Sequence, residues 1–116
     1  MKKENIVKEK KDFNNAFNNN VQYKSKYSYV YINDNMINKY RFGICISKKI
    51  GNAVKRNKLK RRIKDIIDKS SLQFLHKDYI IVLKVSAKQA TYFDLKNDIL
   101  NILTKIIEKE KTRWKS

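Results

Sequence analysis

Nine basic residues and no acid lie between Lys48 and Lys64: Lys48, Lys49, Lys55, Arg56, Lys58, Lys60, Arg61, Arg62 and Lys64. Lys and Arg are almost never fully buried without a partner, and the acids nearest this run, Asp65 and Asp68, come after it. The charge must therefore face water or an anion, and a field this dense favours a polyphosphate. The chemistry on offer is anion binding rather than bond making. A protein metal nuclease gathers carboxylates around a metal ion, whereas the 11 Asp and Glu here are scattered, mostly among lysines. His76, the single histidine, sits in L-Q-F-L-H-K-D without a partner and reads as a surface or loop residue rather than a general base. Cys45, in R-F-G-I-C-I-S, reads as a small buried residue, since a thiol nucleophile wants a His and nothing pairs it with His76. No catalytic residue and no metal ligand is expected from this chain.

The elements that carry the basic run follow from periodicity. Gly51-Asn52 breaks an apolar stretch, and Asn52 is a good helix N-cap. A helix is predicted from about Ala53 to Lys69, with Leu59, Ile63, Ile66 and Ile67 as its apolar stripe. At about 100° per residue, Asn57, Lys60, Arg61 and Lys64 fall on one face away from Leu59 and Ile63. Arg56 and Lys58 lie in the first turns, and Lys48 and Lys49 precede them. A helix N-terminus exposes N–H groups and a partial positive charge, so it suits a phosphate. Cations placed there cost stability when no anion is present, so lysines stacked at this end point to anion binding. A merely solvated face would mix signs.

Elsewhere, Phe13, Ala16 and Phe17 recur at helical spacing, giving a short amphipathic helix over 9–18. Asn18-Asn19-Asn20 punctuates the chain. Y-S-Y-V-Y-I-N, residues 27–33, alternates as a strand, with Tyr27, Tyr29 and Tyr31 on one face and Ser28, Val30 and Ile32 on the other. Asn33-Asp34-Asn35 opens a turn. A second strand spans 41–47, with Phe42, Ile44 and Ile46 on one face. The nearly continuous apolar run over 78–85 suits a buried central strand. Thr91 and Asp94 form a capping arrangement before a last helix that runs to about Lys109, with Leu95, Ile99, Ile102, Leu103 and Ile106 inward. Residues 1–8 read as a mobile basic arm, and 111–116 as a frayed basic tail.

The 116 residues fit a single domain, 1–116, with no repeats. A 41% hydrophobic content allows a modest core, and the formal net charge is +17, from 28 Lys and Arg against 11 Asp and Glu. Charge of that size argues about partners, not fold. Nucleic acid leads, with an anionic membrane surface as the weaker alternative. The N-terminus lacks an apolar signal core, and no apolar run approaches the ~20 residues that span a bilayer. A cytoplasmic protein is expected, with no internal disulfide from one cysteine.

To this point the residues support RNA or DNA binding in general. The block S-K-K-I-G-N-A-V-K-R-N-K-L-K-R, residues 47–61, closely resembles the signature of the bacterial ribonuclease P protein subunit family, whose centre is an R-N-R-x-x-K-R element. Arg56, Asn57, Lys60 and Arg61 match it. Lys58 stands at its second Arg, keeping the charge without the planar two-pronged donor. D-F-x-x-x-F matches Asp12, Phe13 and Phe17, and D-Y-I-I matches Asp78 to Ile81. The resemblance covers nearly the whole chain.

That resemblance implies a small α+β two-layer sandwich in helix, strands, helix, strand, helix order, a fold shared with the second domain of a ribosomal protein. It further implies a mixed central sheet with a left-handed βαβ crossover through the basic helix, an exception to the usual right-handed rule. It implies a protein subunit of an endoribonuclease that removes the 5′ leader of precursor tRNA, with Mg2+ and the chemistry on a catalytic RNA and no cofactor on the protein. The partners would be that RNA and the leader, with no membrane and no obligate protein partner. Ser47, Lys48, Lys49, Asn52, Arg56, Asn57, Lys58, Lys60, Arg61 and Lys64 would meet the catalytic RNA. Phe13, Phe17, Tyr29 and Tyr31, with Lys84 nearby, would line a cleft for the single-stranded leader. Aromatic faces stack on unpaired bases with little sequence preference, each worth about 1–3 kcal/mol. Phe13 and Phe17 as core alone is the lesser reading, and a tyrosine face wants a polar partner and is expected to be partly wet.

Three other readings remain. A basic ribosomal RNA-binding protein shares size, charge and partner but would lack the conjunction of motifs. A helix-turn-helix DNA-binding protein would put a helix just before the basic one, where a strand is predicted. An autonomous nuclease lacks a carboxylate cluster.

Overall fold

The computed structural model describes residues 1–19 and 21–113. Three helices and four strands follow one another as α1 (Lys10–Asn18), β1 (Gln22–Lys24), β2 (Ser28–Asp34), β3 (Arg41–Cys45), α2 (Ala53–Lys69), β4 (Lys77–Leu83) and α3 (Tyr92–Arg113). The sheet order is β1-β2-β4-β3. β2 pairs antiparallel with β1 and β4, while β3 and β4 run parallel because α2 carries the chain back between them. The α+β class, mixed sheet and element order are those expected. β1 is an addition that its three residues were too short to announce.

The alternation in β2 divides the molecule into layers. Ser28, Val30 and Ile32 are buried, and Tyr29 and Tyr31 are half-buried on the opposite face. On the first face, Val30, Ile32, Phe42, Tyr79, Ile81 and Leu83 pack against the α2 and α3 stripes. The α2 stripe is Leu59, Ile63, Ile66 and Ile67, as periodicity predicted. Phe42 stacks on Tyr79 with ring centroids 4.9 Å apart, and Phe74 meets both edge-on. On the second face, Val7, Ala16 and Ile80 form a smaller cluster with Phe13 and Phe17 of α1. β4 reads as continuously apolar because both its faces are covered.

The helix ends match their sequence signals. Asn52 Oδ1 accepts from the Lys55 N–H at 2.9 Å. At α3, the Asp94 N–H donates to Thr91 Oγ1 and the Thr91 N–H to Asp94 Oδ2, both at 3.1 Å, a reciprocal capping box with Asp in place of Glu.

Three expectations are corrected. The segment 1–8 is docked rather than mobile. Lys3–Asn5 form a 3-10 turn, Ile6 bridges Phe42 in parallel, and the Val7 N–H donates to Phe42 O at 2.9 Å. β3 is an edge strand with backbone groups to satisfy. Val7 satisfies one of them, and Asn5 Nδ2 donates to Tyr40 O at 2.7 Å just before the strand, while most of the charges stay outside. Next, Tyr27 does not share the face of Tyr29 and Tyr31. It precedes the strand and packs on the main core, because the backbone bends after Ser25, where Asp98 accepts from the Ser25 hydroxyl and the N–H groups of Lys26 and Tyr27. Lastly, α3 continues to Arg113 past the predicted stop, fixed by buried Glu110, which accepts from Tyr23 Oη at 2.6 Å and pairs with Lys77 at 3.5 Å. Residues 114–116 of the expected tail lie outside the described residues.

Candidate nucleic-acid interface

The basic surface begins in the turn between β3 and α2. Ile50 is fully buried and pins that turn to the core. Ser47 shapes it: its carbonyl accepts from the Ile50 N–H at 3.0 Å and its hydroxyl from the Lys49 N–H at 3.1 Å. Lys48 and Lys49 are thereby exposed just before the helix. On α2, Asn57, Lys58 and Arg61 are exposed, while Arg56, Lys60 and Lys64 are half-buried. Asn52 is spent on the cap. The first turn contains no acid, so its field is uniformly positive. Arg56 Nε is shielded from water and has no hydrogen-bond partner among the described residues. Val54, 74% exposed among these cations, was not singled out by sequence reasoning.

The strand register places the second surface. Cross-strand partners share a face, so two rows run across the sheet on the α1 side. Gly43, Ile80, Tyr31 and Gln22 form one, and Cys45, Val82, Tyr29 and Lys24 the next. α1 lies along the first row. A Cβ on Gly43 would come within 2.6 Å of Phe13 Cε1, so only glycine lets α1 approach this closely. At the other end of α1, Phe17 meets Tyr31 edge-on at 4.9 Å, and Asn19 Nδ2 donates to Ile32 O at 3.0 Å. Gln22 Nε2 donates to Tyr31 Oη at 2.8 Å.

The second row is left beside α1 as a partly exposed strip of the sheet, where the leader cleft was expected. Cys45, Val82 and Tyr29 are half-buried there and Lys24 is exposed. Burial pushes the Cys45 thiol above its ordinary pKa, against the pull of Lys60. Lys60 on α2 is thus an electrostatic neighbour of the inner end of the row. At the outer end, Lys84 Nζ sits 4.6 Å and Lys24 Nζ 5.9 Å from the Tyr29 ring centroid. Phe13, Phe17, Tyr29, Tyr31 and Lys84 therefore stand on one side of the sheet. Phe13 and Phe17 are both packing residues and cleft wall, since each is only half-buried. Sequence reasoning missed Lys24 and Cys45 as parts of this row. Pairing V-Q-Y-K against Y-S-Y-V-Y would have found Lys24.

The motif acids serve the scaffold. Asp78 is buried and holds Arg41, which also reaches Asp12 at the start of α1. Lys77 pairs with Asp34 at 2.8 Å. No three of His, Cys, Asp and Glu among the described residues stand close enough together to hold a metal ion. His76 is exposed, its Nδ1 2.9 Å from Asn38 Oδ1. No helix among the described residues is long and apolar enough to cross a membrane.

A cation-lined helix beside an aromatic cleft, on a three-helix, four-strand mixed sheet, defines a class of small basic α+β proteins. A family model described as Ribonuclease P matches residues 1–107. The chain is 33% identical over 104 residues to the ribonuclease P protein component of Streptococcus pneumoniae serotype 4, covering 89% of this chain and 85% of that one. It is similar in structure, at 31% identity and a TM-score of 0.83, to a Staphylococcus aureus RNase P protein mutant with defective mRNA degradation activity, over 90% of this chain and 89% of that one. The RNase P protein from Thermotoga maritima, at 22% identity, shares the fold with a TM-score of 0.78 over 85% of this chain and 94% of its own. The chain belongs to the ribonuclease P protein family, the protein component of an endoribonuclease of tRNA processing.

Proposed function

We propose that this chain binds the catalytic RNA of a bacterial ribonuclease P through α2 and the turn before it, and the 5′ leader of precursor tRNA through the cleft. It thereby assists RNA-catalysed removal of the leader in the cytoplasm. The observation that carries this reading is the adjacency of the two surfaces. Cys45, at the inner end of the second row, closes β3 two residues before Ser47, where the basic turn into α2 begins. A strand leaving an RNA seated on α2 can enter the cleft without turning away from the protein.

The reading leaves bond cleavage to the RNA. Asp12 and Asp78 are engaged by Arg41, Asp34 and Glu110 by Lys77, and Asp98 by a turn. These carboxylates are committed to the scaffold, and the reading assigns Mg2+ to the RNA. The chain's own residues supply position and charge. Lysines neutralise phosphates as the RNA folds against α2, and the half-exposed rings of Phe17 and Tyr31 offer faces and edges to unpaired bases.

The test is differential. With the catalytic RNA present, Phe17→Ala or Tyr31→Ala should weaken binding of precursor tRNA by about 1–3 kcal/mol and leave binding of mature tRNA nearly unchanged. Equal losses for both ligands would remove the cleft from the account.

A further inference from the structure

Tyr29 differs from the other rings of the cleft. Two ammonium groups attend it, Lys84 at 4.6 Å and Lys24 at 5.9 Å from the ring centroid. Lys84 Nζ also donates to Ser25 O at 2.6 Å, which fixes it to the turn between β1 and β2. Lys24 is the register partner of Tyr29, so it stands on the cleft face by pairing and not by chance of rotamer. Asp98, the carboxylate at this turn, is already taken up by the Ser25 hydroxyl and the N–H groups of Lys26 and Tyr27. A ring attended by two cations is poorly placed to receive a base as well. Lys24 is exposed and Lys84 half-buried, so both ammonium groups remain within reach of an anion at this edge of the sheet.

We propose that Lys24 and Lys84, held on Tyr29, form a phosphate clamp at the outer end of the leader cleft, distinct in chemistry from the base-contacting rings of Phe17 and Tyr31. The inference rests on the proposed reading of the cleft and names what its far end recognises. The clamp grips the sugar–phosphate backbone of nucleotides that have already crossed the sheet. Three strand spacings separate β3 from β1, about 14 Å, the length of roughly four stacked nucleotides. Affinity for precursor tRNA should therefore rise with leader length until the strand reaches β1, without regard to sequence at that end.

The experiment measures binding of precursor tRNAs with leaders shorter and longer than roughly four nucleotides, using the chain assembled with a bacterial catalytic RNA. Lys24→Gln is compared with Lys26→Gln, which removes the same charge from a residue whose ammonium sits over Tyr27, a ring packed on the main core. Lys24→Gln should weaken the long-leader precursor about fourfold at 0.15 M salt, the value of one counterion-releasing contact. It should leave the short-leader precursor unaffected. Equal loss on both leaders, or an equal loss from Lys26→Gln, would show bulk charge and overturn the clamp. A leader preference that survives Lys24→Gln at full strength would also overturn it, with the cleft intact. If the unaltered chain binds precursor and mature tRNA alike, the cleft reading itself fails.

Discussion

Arg41 and Asp78 are register partners across the parallel β3–β4 pair, and their side chains form a two-pronged ion pair, Nε to Oδ1 at 2.8 Å and Nη2 to Oδ2 at 2.7 Å. The third guanidinium nitrogen reaches Asp12 Oδ2 at 3.5 Å, in the first turn of α1. Asn35 Nδ2 donates to Asp78 Oδ1 at 2.9 Å. The arrangement joins two separate sequence signals, the D-F-x-x-x-F and D-Y-I-I motifs, through a residue in neither. It fixes α1, the wall of the cleft, to the sheet that is its floor.

Removing Arg41 leaves the buried Asp78 carboxylate without a cation, with the Asn35 amide as its remaining side-chain donor among the described residues. Arg41→Ala is expected to cost about 3–5 kcal/mol of stability, whereas Asp12→Asn, at the long and more exposed contact, should cost about 1 kcal/mol or less. Urea unfolding of both variants measures the difference. Equal costs would mean that the Asp78 pair does not anchor the strands.

The α2 surface makes a prediction about salt. Arg56→Ala together with Lys60→Ala should weaken binding to the catalytic RNA and lower the magnitude of the slope of log K against log salt by about two. An unchanged slope would place the RNA elsewhere on the protein.

Gly43 is a packing requirement of the cleft wall. Gly43→Ala sets a methyl 2.6 Å from Phe13 Cε1 and 2.8 Å from Ile80 Cδ1. The expected cost is about 1–3 kcal/mol from overpacking. Most of it should disappear when the substitution is made in a Phe13→Ala background, which a double-mutant cycle of unfolding free energies reads directly. An additive cycle would show that Phe13 does not press on this glycine.

Alkaline pH tests the main core. Burial pushes the Tyr79 hydroxyl up to about 12, against the hydrogen bond it accepts from the Leu75 N–H at 3.0 Å. The unfolded chain loses this proton near pH 10 and the folded chain only near 12, so stability falls as pH rises between them, by up to roughly 3 kcal/mol. Below pH 10 the group contributes no slope. Tyr79→Phe should flatten that alkaline decline relative to the unaltered chain in thermal or urea melts, while losing about 1 kcal/mol at neutral pH with the hydrogen bond. Identical alkaline profiles would mean that Tyr79 ionises freely.

Periodicity carried the larger elements. The α2 bounds, its four-residue stripe, the Asn52 cap and the Thr91–Asp94 box follow from local rules that tertiary context did not override. The positions of Arg41, Gly43 and Lys24 were not legible, because each acquires its role from a residue distant in sequence: Asp78, Phe13 and Tyr29. The docked N-terminus escaped for a similar reason. Val7 looks unremarkable in a lysine-rich segment until β3 is known to be an edge with open hydrogen-bonding groups. Of the site, the α2 face was readable because charge and helix phase are both local. The cleft needed the strand register to bring Lys24 beside Tyr29 and Gly43 under Phe13.

The central claim is that this chain supplies position and charge to an RNA catalyst. The most direct measurement is cleavage of precursor tRNA at low Mg2+ by a bacterial ribonuclease P RNA, with and without the chain. The account predicts a marked gain in leader removal when the protein is added, and none from the protein alone. Cleavage unchanged by the protein, or Mg2+-dependent cleavage by the protein free of RNA, would contradict it.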